Sequence, residues 1–234
     1  MQQQTKVIGL IGGMGWESSK LYYERINHAV NVKLGGSHSA KIILVSVDFS
    51  EIERHTSNRD WKAIERIMVK SAQQLERAGA DMVLLCTNLI HLVSPAIIAD
   101  ISIPFLHIAD ATGRAIAKKQ LKKVLLLGTK PTMELDFYTS VLENKYDLDI
   151  TVPNPSDMQI IHDIIYGELL KGVFTETSKQ RVIEMIQNSK SNGIEGVIMG
   201  CTELPMLVQA EDISIPLFDT GQIHADQAVA FALT

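Results

Sequence analysis

Cysteine is scarce in this chain. There are two in 234 residues, too few for a disulfide framework, and a reducing compartment would keep both as thiols. Long apolar runs are missing as well: no stretch approaches the ~20 residues of a membrane span, and Met1 to Lys6 is polar, with no basic-then-apolar export signal. The expectation is a cytoplasmic protein with no membrane partner. Neither sign of charge dominates, since 22 basic against 27 acidic residues leave a net −5 without blocks, which argues against capture of nucleic acid. The 7 histidines form no HExxH and no paired Cys/His spacing, so no metal is expected. His91, His107 and His224 are read as packing or capping residues. No low-complexity tract or Pro/Gly-rich linker appears, so any domain boundary is short and structured.

What is present is an alternation. Hydrophobic content of 46% suffices for a substantial core. Short apolar runs at Val7 to Ile11, Lys41 to Val47, Asp81 to Leu85, Pro104 to Ile108, Val124 to Leu127, Gly196 to Met199 and Leu217 to Phe218 predict strands. Helical apolar spacing marks Ser18 to Leu34, Trp61 to Ala78, Pro131 to Glu143, Ser156 to Leu170 and Thr177 to Asn192. Strands and helices in that rhythm predict parallel sheets covered on both faces, an α/β fold. Gly79 and Gly193 stand where helix C-caps are expected.

The chain also repeats itself. Ala78-Gly79-Ala80-Asp81-Met82-Val83-Leu84-Leu85-Cys86-Thr87-Asn88 returns as Asn192-Gly193-Ile194-Glu195-Gly196-Val197-Ile198-Met199-Gly200-Cys201-Thr202-Glu203 with one extra residue. Ile-Ser-Ile-Pro follows each copy, at 101 to 104 and 213 to 216, and Val7 to Gly12 has a counterpart in Val124 to Thr129. Three matched landmarks in one order predict two similar α/β halves, each ending a strand in Cys-Thr.

In open parallel sheets ligands bind outside the carboxyl ends of strands, which puts both thiols at a ligand edge. A helix N-terminus lowers a thiol's pKa and makes thiolate available near neutral pH. Two opposed thiols suit inversion of a stereocentre, where a base takes the Cα proton on one face and an acid delivers one on the other. The carbanion needs donors aimed at the substrate carboxylate, for which Thr87, Asn88, Thr129, Thr132 and Thr202 are the candidates. The glycine-rich turn from Gly9 to Ser18 resembles a dinucleotide fingerprint but fails its spacing: Ser18 replaces the third glycine, and no acidic residue ends a strand about 20 residues later. It is assigned to carboxylate binding or cleft closure.

Gly12-Gly13-Met14, Cys86-Thr87-Asn88 and Gly200-Cys201-Thr202-Glu203, in this order, resemble the aspartate/glutamate racemase family over essentially the whole chain. The branch of aspartate and broad-specificity amino-acid racemases also carries Trp16-Glu17-Ser18 and His107 to Arg114. The resemblance implies a cofactor-independent racemase, usually a homodimer, acting on a free amino acid. It implies two pseudo-symmetric parallel-sheet, Rossmann-like domains, taken here as 1–115 and 116–234, with the active site in the interdomain cleft. Cys86 and Cys201 are then the catalytic pair, and Met14 and Glu203 join the substrate-binding residues. Archaeal aspartate racemases read Cys-Asn-Thr where this chain has Cys86-Thr87-Asn88, which brings Thr87 near the substrate; a hydroxyl is a much weaker acid than a thiol, so Cys86 is kept as the base. Arg54 matches the Arg thought to hold the side-chain carboxylate. The matching Lys position is Leu170, with Lys171 one residue along, about 100° around a helix.

Two other readings stand beside this one. A decarboxylase or cis-trans isomerase of the same superfamily needs only one cysteine for proton delivery, and a non-catalytic two-domain amino-acid-binding protein leaves the paired thiols unexplained. A nicotinamide oxidoreductase is disfavoured by the broken fingerprint.

Overall fold

The computed structural model describes residues 5–234; the part of the N-terminal reading that falls on Met1 to Gln4 lies outside the described residues. In chain order the elements are β1 (Val7–Gly12), α1 (Trp16–Leu34), β2 (Lys41–Ser46), α2 (Phe49–Ser57), α3 (Trp61–Arg77), β3 (Met82–Leu85), α4 (Ser94–Asp100) and α5 (Ile108–Lys118). Then come β4 (Lys123–Leu127), α6 (Lys130–Glu134), α7 (Asp136–Tyr146), β5 (Asp149–Thr151), α8 (Pro155–Gly167), α9 (Glu176–Ser191), β6 (Gly196–Met199), α10 (Leu204–Leu207), β7 (Leu217–Asp219) and α11 (Thr220–Ala232). By their contacts the residues form two units: one runs to Ile108 and takes in His224–Thr234, the other is Ala109–Ile223.

The first unit holds a parallel sheet in the order β2-β1-β3. β3 is buried throughout and β1 nearly so, which is why they read as unbroken apolar runs: helices cover both faces. Ile11, Val83 and Leu85 pack with Ile64, Met68 and Leu75 of α3. Ile8, Leu10, Met82 and Leu84 face the other way, against Tyr22, Ile26 and Val30 of α1 and Ala225, Ala228 and Val229 of α11. Helix ends follow the sequence signals. Asp60 caps α3 by accepting from the Ala63 amide, and Gly79 follows the helix at φ +91°, where a side chain would be strained.

The second unit repeats the plan as β5-β4-β6-β7, again parallel. Leu125, Leu127, Val197 and Met199 pack against Ile161 and Ile165 of α8 and Val182 and Ile186 of α9. Asn154 caps α8, Thr175 caps α9, and Gly193, at φ +86°, ends α9 as Gly79 ends α3.

Two expected elements come out differently. Pro104 to Ile108 is a single parallel bridge, Val83 to Phe105, rather than a strand. Val83 bonds to Pro104 O and Leu106 N, and the Ile108 amide then turns aside to donate to His91 Nε2 as α5 begins. Pro131 to Glu143 splits into α6 and α7 at Leu135, whose backbone is extended.

Candidate active site

The backbone ladder sets the correspondence between the two halves. Val83 N donates to Pro104 O and Val197 N to Pro216 O; Asp81 N donates to Val7 O and Glu195 N to Lys123 O. Carried forward, the Cys86 amide, which donates to Ile11 O at 2.9 Å, corresponds to the Gly200 amide, which donates to Leu127 O at 2.6 Å. Cys86 therefore matches Gly200, and the counterpart of Cys201 is Thr87. Because side chains alternate along extended backbone, one residue of offset changes the face.

Packing bears this out. Cys201 lies among the residues around Leu127 and Met199, the face that corresponds to Ile11 and Leu85. Cys86 lies on the other face, fully buried between Ile8, Leu10, Met82, Leu84 and the alanines of α11. Burial alone pushes its thiol far up. Thr87 is half-buried and Asn88 buried. The Asn88 carbonyl accepts from the His91 amide and lies 3.2 Å from His91 Nδ1, holding the turn after β3.

Cys201 is in different company. Its Sγ donates to Glu203 Oε2 at 2.9 Å, and Thr202 Oγ1 donates to the same oxygen at 2.9 Å. All three residues are buried. The thiol is pushed well up, first by burial and then by the Glu203 charge and hydrogen bond, while the Glu203 and Leu204 amides pull it back. The expected thiolate near neutral pH is thus not the resting form of either cysteine: loss of water around sulfur outweighs any favourable dipole. Glycines bring the strand ends together here. A Cβ on Gly200 would meet Leu127 O at 2.9 Å, and one on Gly128 would meet Gly200 O at 3.1 Å. Thr132, fully buried and hydrogen-bonded to Thr129 at 2.9 Å, packs its methyl over both glycines. Cys201, Thr202, Glu203, Thr129 and Thr132 are thereby gathered at one sheet edge.

In the first unit Met14 lies in the turn after β1. Gly13, at φ +91°, has Val47 O only 2.1 Å from where a Cβ would stand, so no other residue fits. Its amide is taken by Ser19 Oγ at 2.8 Å, and Met14 packs into the core with Ile11 and Ile52. Arg54 lies on α2, exposed, its side chain making no hydrogen bond or ion pair to the described residues. Leu170 packs against the core of the second unit while Lys171 is exposed. Among the described residues no group of three metal-ligating side chains occurs, and no helix is long and apolar enough to cross a membrane.

Two features escaped the sequence. His91, His107 and His224 form a cluster: the His91 ring centroid is 4.8 Å from that of His107 and 5.6 Å from that of His224. His224 Nδ1 and Nε2 meet Tyr22 Oη and Leu106 O, both at 2.9 Å. Burial holds His91 well below the usual imidazole range and pulls His224 down to about 3. His162, on α8, accepts from the Lys130 amide at 3.3 Å beside Thr129. No local spacing announces either, because the partners come from separate elements.

A family model described as Asp/Glu/Hydantoin racemase matches residues 11–228. The broad specificity amino-acid racemase RacX of Bacillus subtilis (strain 168) is 21% identical over 232 residues, covering 96% of this chain and 97% of RacX. Among solved structures, a provisionally assigned Asp/Glu racemase from Yersinia pestis is 44% identical with a TM-score of 0.94, covering 98% of this chain and 100% of that one. PH1733, an aspartate racemase homologue from Pyrococcus horikoshii OT3, is 35% identical with a TM-score of 0.85, covering 97% and 99%.

Proposed function

The chain belongs to the Asp/Glu/Hydantoin racemase family, and from that membership we propose that it inverts Cα of a free amino acid by moving protons on both faces, without an organic cofactor. The observation that carries this reading is Cys201: a thiol at the carboxyl end of β6, hydrogen-bonded to a buried carboxylate, with Thr87 as its counterpart in the other half. On that other side the sequence pointed to Cys86. Register and burial favour Thr87, whose side chain is partly exposed while Cys86 is sealed in apolar packing.

In this reading inversion runs through a planar carbanion, and the two proton carriers are Cys201 and the Thr87 hydroxyl, one for each face. When Cys201 is thiolate it removes the Cα proton, and the hydroxyl delivers one to the far face; in reverse the Thr87 alkoxide removes the proton and the thiol is the donor. A hydroxyl is a weaker acid than a thiol, yet far stronger than the Cα–H, so it serves as donor. Hydroxyls and amides at the sheet edges, those of Thr129, Thr132 and Thr202 with the Asn88 side chain, are assigned to the substrate carboxylate, whose charge grows as the carbanion forms.

An acidic substrate is favoured by Arg54. A second carboxylate leaving water unpaired costs several kcal/mol, and an exposed guanidinium without an internal partner is available to meet it in a bidentate pair. Aspartate is accordingly the first substrate to test. We further assign a homodimer in the cytoplasm as its working state. The test is incubation of the purified protein with single-enantiomer amino acids in deuterated water, following α-deuterium by NMR and inversion by chiral chromatography. Inversion accompanied by α-deuterium supports the reading; absence of both for every amino acid, with folded protein, overturns it.

A further inference from the structure

The thiol of Cys201 and the carboxylate of Glu203 are joined by one hydrogen bond of 2.9 Å in a buried setting. Burial keeps the proton on sulfur and would leave the site without a base at neutral pH. A base has to appear nonetheless if Cys201 is to remove a Cα proton. Among the described residues Glu203 is the charged side chain that shifts this thiol, and its Oε2 is already the acceptor. The Glu203 and Leu204 amides favour the thiolate, so the sulfur is prepared to carry charge once its proton moves.

We propose that Glu203 is the resident acceptor of the Cys201 proton, so that thiol with carboxylate and thiolate with carboxylic acid are two forms of one singly protonated pair. The inference rests on the racemase reading above and adds the source of its base. In the step, the S–H bond breaks, the proton passes to Oε2 of Glu203, and the electron pair stays on sulfur. The thiolate then takes the Cα proton of the substrate, whose C–H pair remains as the carbanion, and the opposing hydroxyl delivers a proton to the other face. Water refills that hydroxyl, and Glu203 releases its proton to water, restoring thiol and carboxylate. In the opposite direction the Thr87 hydroxyl first yields its proton through water to Glu203, the resulting alkoxide takes the Cα proton, the thiol donates to the other face, and the proton returns from Oε2 to the thiolate, so that Glu203 begins and ends as carboxylate. Thr202, donating to the same Oε2, steadies the carboxylate in line with sulfur, which makes it a positioning residue.

The pair has a signature that a merely structural glutamate lacks. Moving the proton inside the pair does not change the pair's charge, so the thiolate form is populated independently of pH between the two titrations of the pair. In Glu203→Gln solvent has to remove the proton, and the thiolate fraction rises tenfold per pH unit until the thiol itself titrates. The experiment is twofold. First, with 13C at Cβ of the chain's two cysteines, titration of the Cys201 resonance in the full-length protein is compared with that in Glu203→Gln; loss of the carboxylate charge lowers the apparent thiol pKa by about a unit or more. Second, kcat/KM for inversion stays level with pH in the parent between the two titrations of the pair and rises about tenfold per pH unit in Glu203→Gln, while Glu203→Asp keeps the level profile. The proposal is overturned if the Cys201 titration is the same in both proteins, or if the pH profile of Glu203→Gln has the same shape as the parent's. Should the parent protein invert no amino acid, the racemase reading fails, and the titration alone still decides whether the two groups share a proton.

Discussion

Acid should unfold the first unit earlier than carboxylates alone require, through His91 and His224. Both imidazoles are buried and held neutral, His224 down to about 3 and His91 well below its ordinary range, in each case chiefly by burial. Their folded pKa values lie below the unfolded value of about 6.5, so under that pH the unfolded chain binds protons that the folded chain refuses. Stability is therefore intact above about pH 6.5 and is lost as pH falls. His224 contributes about 1.4 kcal/mol per pH unit and removes about 2 kcal/mol between about pH 6.5 and 5, and His91 acts in the same direction, against a typical total of 5–15 kcal/mol. Carboxylates titrate mainly below that window. The assay is urea denaturation read by tryptophan fluorescence, since Trp16 and Trp61 both lie in the first unit. His224→Gln keeps a donor for Leu106 O and an acceptor for Tyr22 Oη, and should flatten the dependence of unfolding free energy on pH by about 1.4 kcal/mol per unit. An unchanged slope in that variant would refute the reasoning.

Four further outcomes are expected. Cys201→Ala and Thr87→Val each lose 100-fold or more of α-deuterium incorporation with inversion, on the order expected for a lost acid or base. Cys86→Ala stays within about tenfold of the parent and loses about 1 kcal/mol of stability to a small cavity; an inactive, folded Cys86→Ala beside an active Thr87→Val would return the role to Cys86. Arg54→Leu raises KM for aspartate about 10- to 100-fold, the worth of one charge-assisted hydrogen bond, and leaves a neutral amino acid such as homoserine nearly unaffected, with Lys171→Leu as the matched control; equal effects on both substrates refute the charge argument. Gly13→Ala costs about 3 kcal/mol or more, measured by thermal or urea denaturation, because Val47 O occupies the place of its Cβ; a parent-like midpoint contradicts the close approach.

The strands that form the centres of the two sheets were legible because they are buried on both faces and read as unbroken apolar runs. The Ile-Ser-Ile-Pro pair marked the segment beside β3 and the strand beside β6. Some helices were not legible. α11 carries alanines on a face packed against apolar strands, and α5 contains Gly113, which looks like a helix breaker; its reason is tertiary, since a Cβ there would stand 2.3 Å from the Tyr146 ring. β5 has only three residues, Asp149–Thr151, too few for an alternation to show. The site was legible as residue types and less so as geometry. Cys-Thr recurs in both halves, and reading the two copies as equivalent cysteines put them on one face. The extra residue, Gly200, was visible in the repeat, but its effect on facing appears only once the ladder hydrogen bonds fix the register.

The packing of Ala225, Ala228 and Val229 over Ile8, Leu10 and Met82 bears on how the chain is made. A ribosome delivers β1, β2 and β3 first, yet one face of their sheet waits for residues beyond position 223. Between the two lies the whole of the second unit, the 115 residues from Ala109 to Ile223, contiguous and free to fold as it emerges. At bacterial-like synthesis rates that interval lasts about 6 to 23 s, during which the nascent chain carries an apolar sheet face without its last cover. The later-made unit is the earlier one finished, and the earlier-made unit is the client that a chaperone would hold.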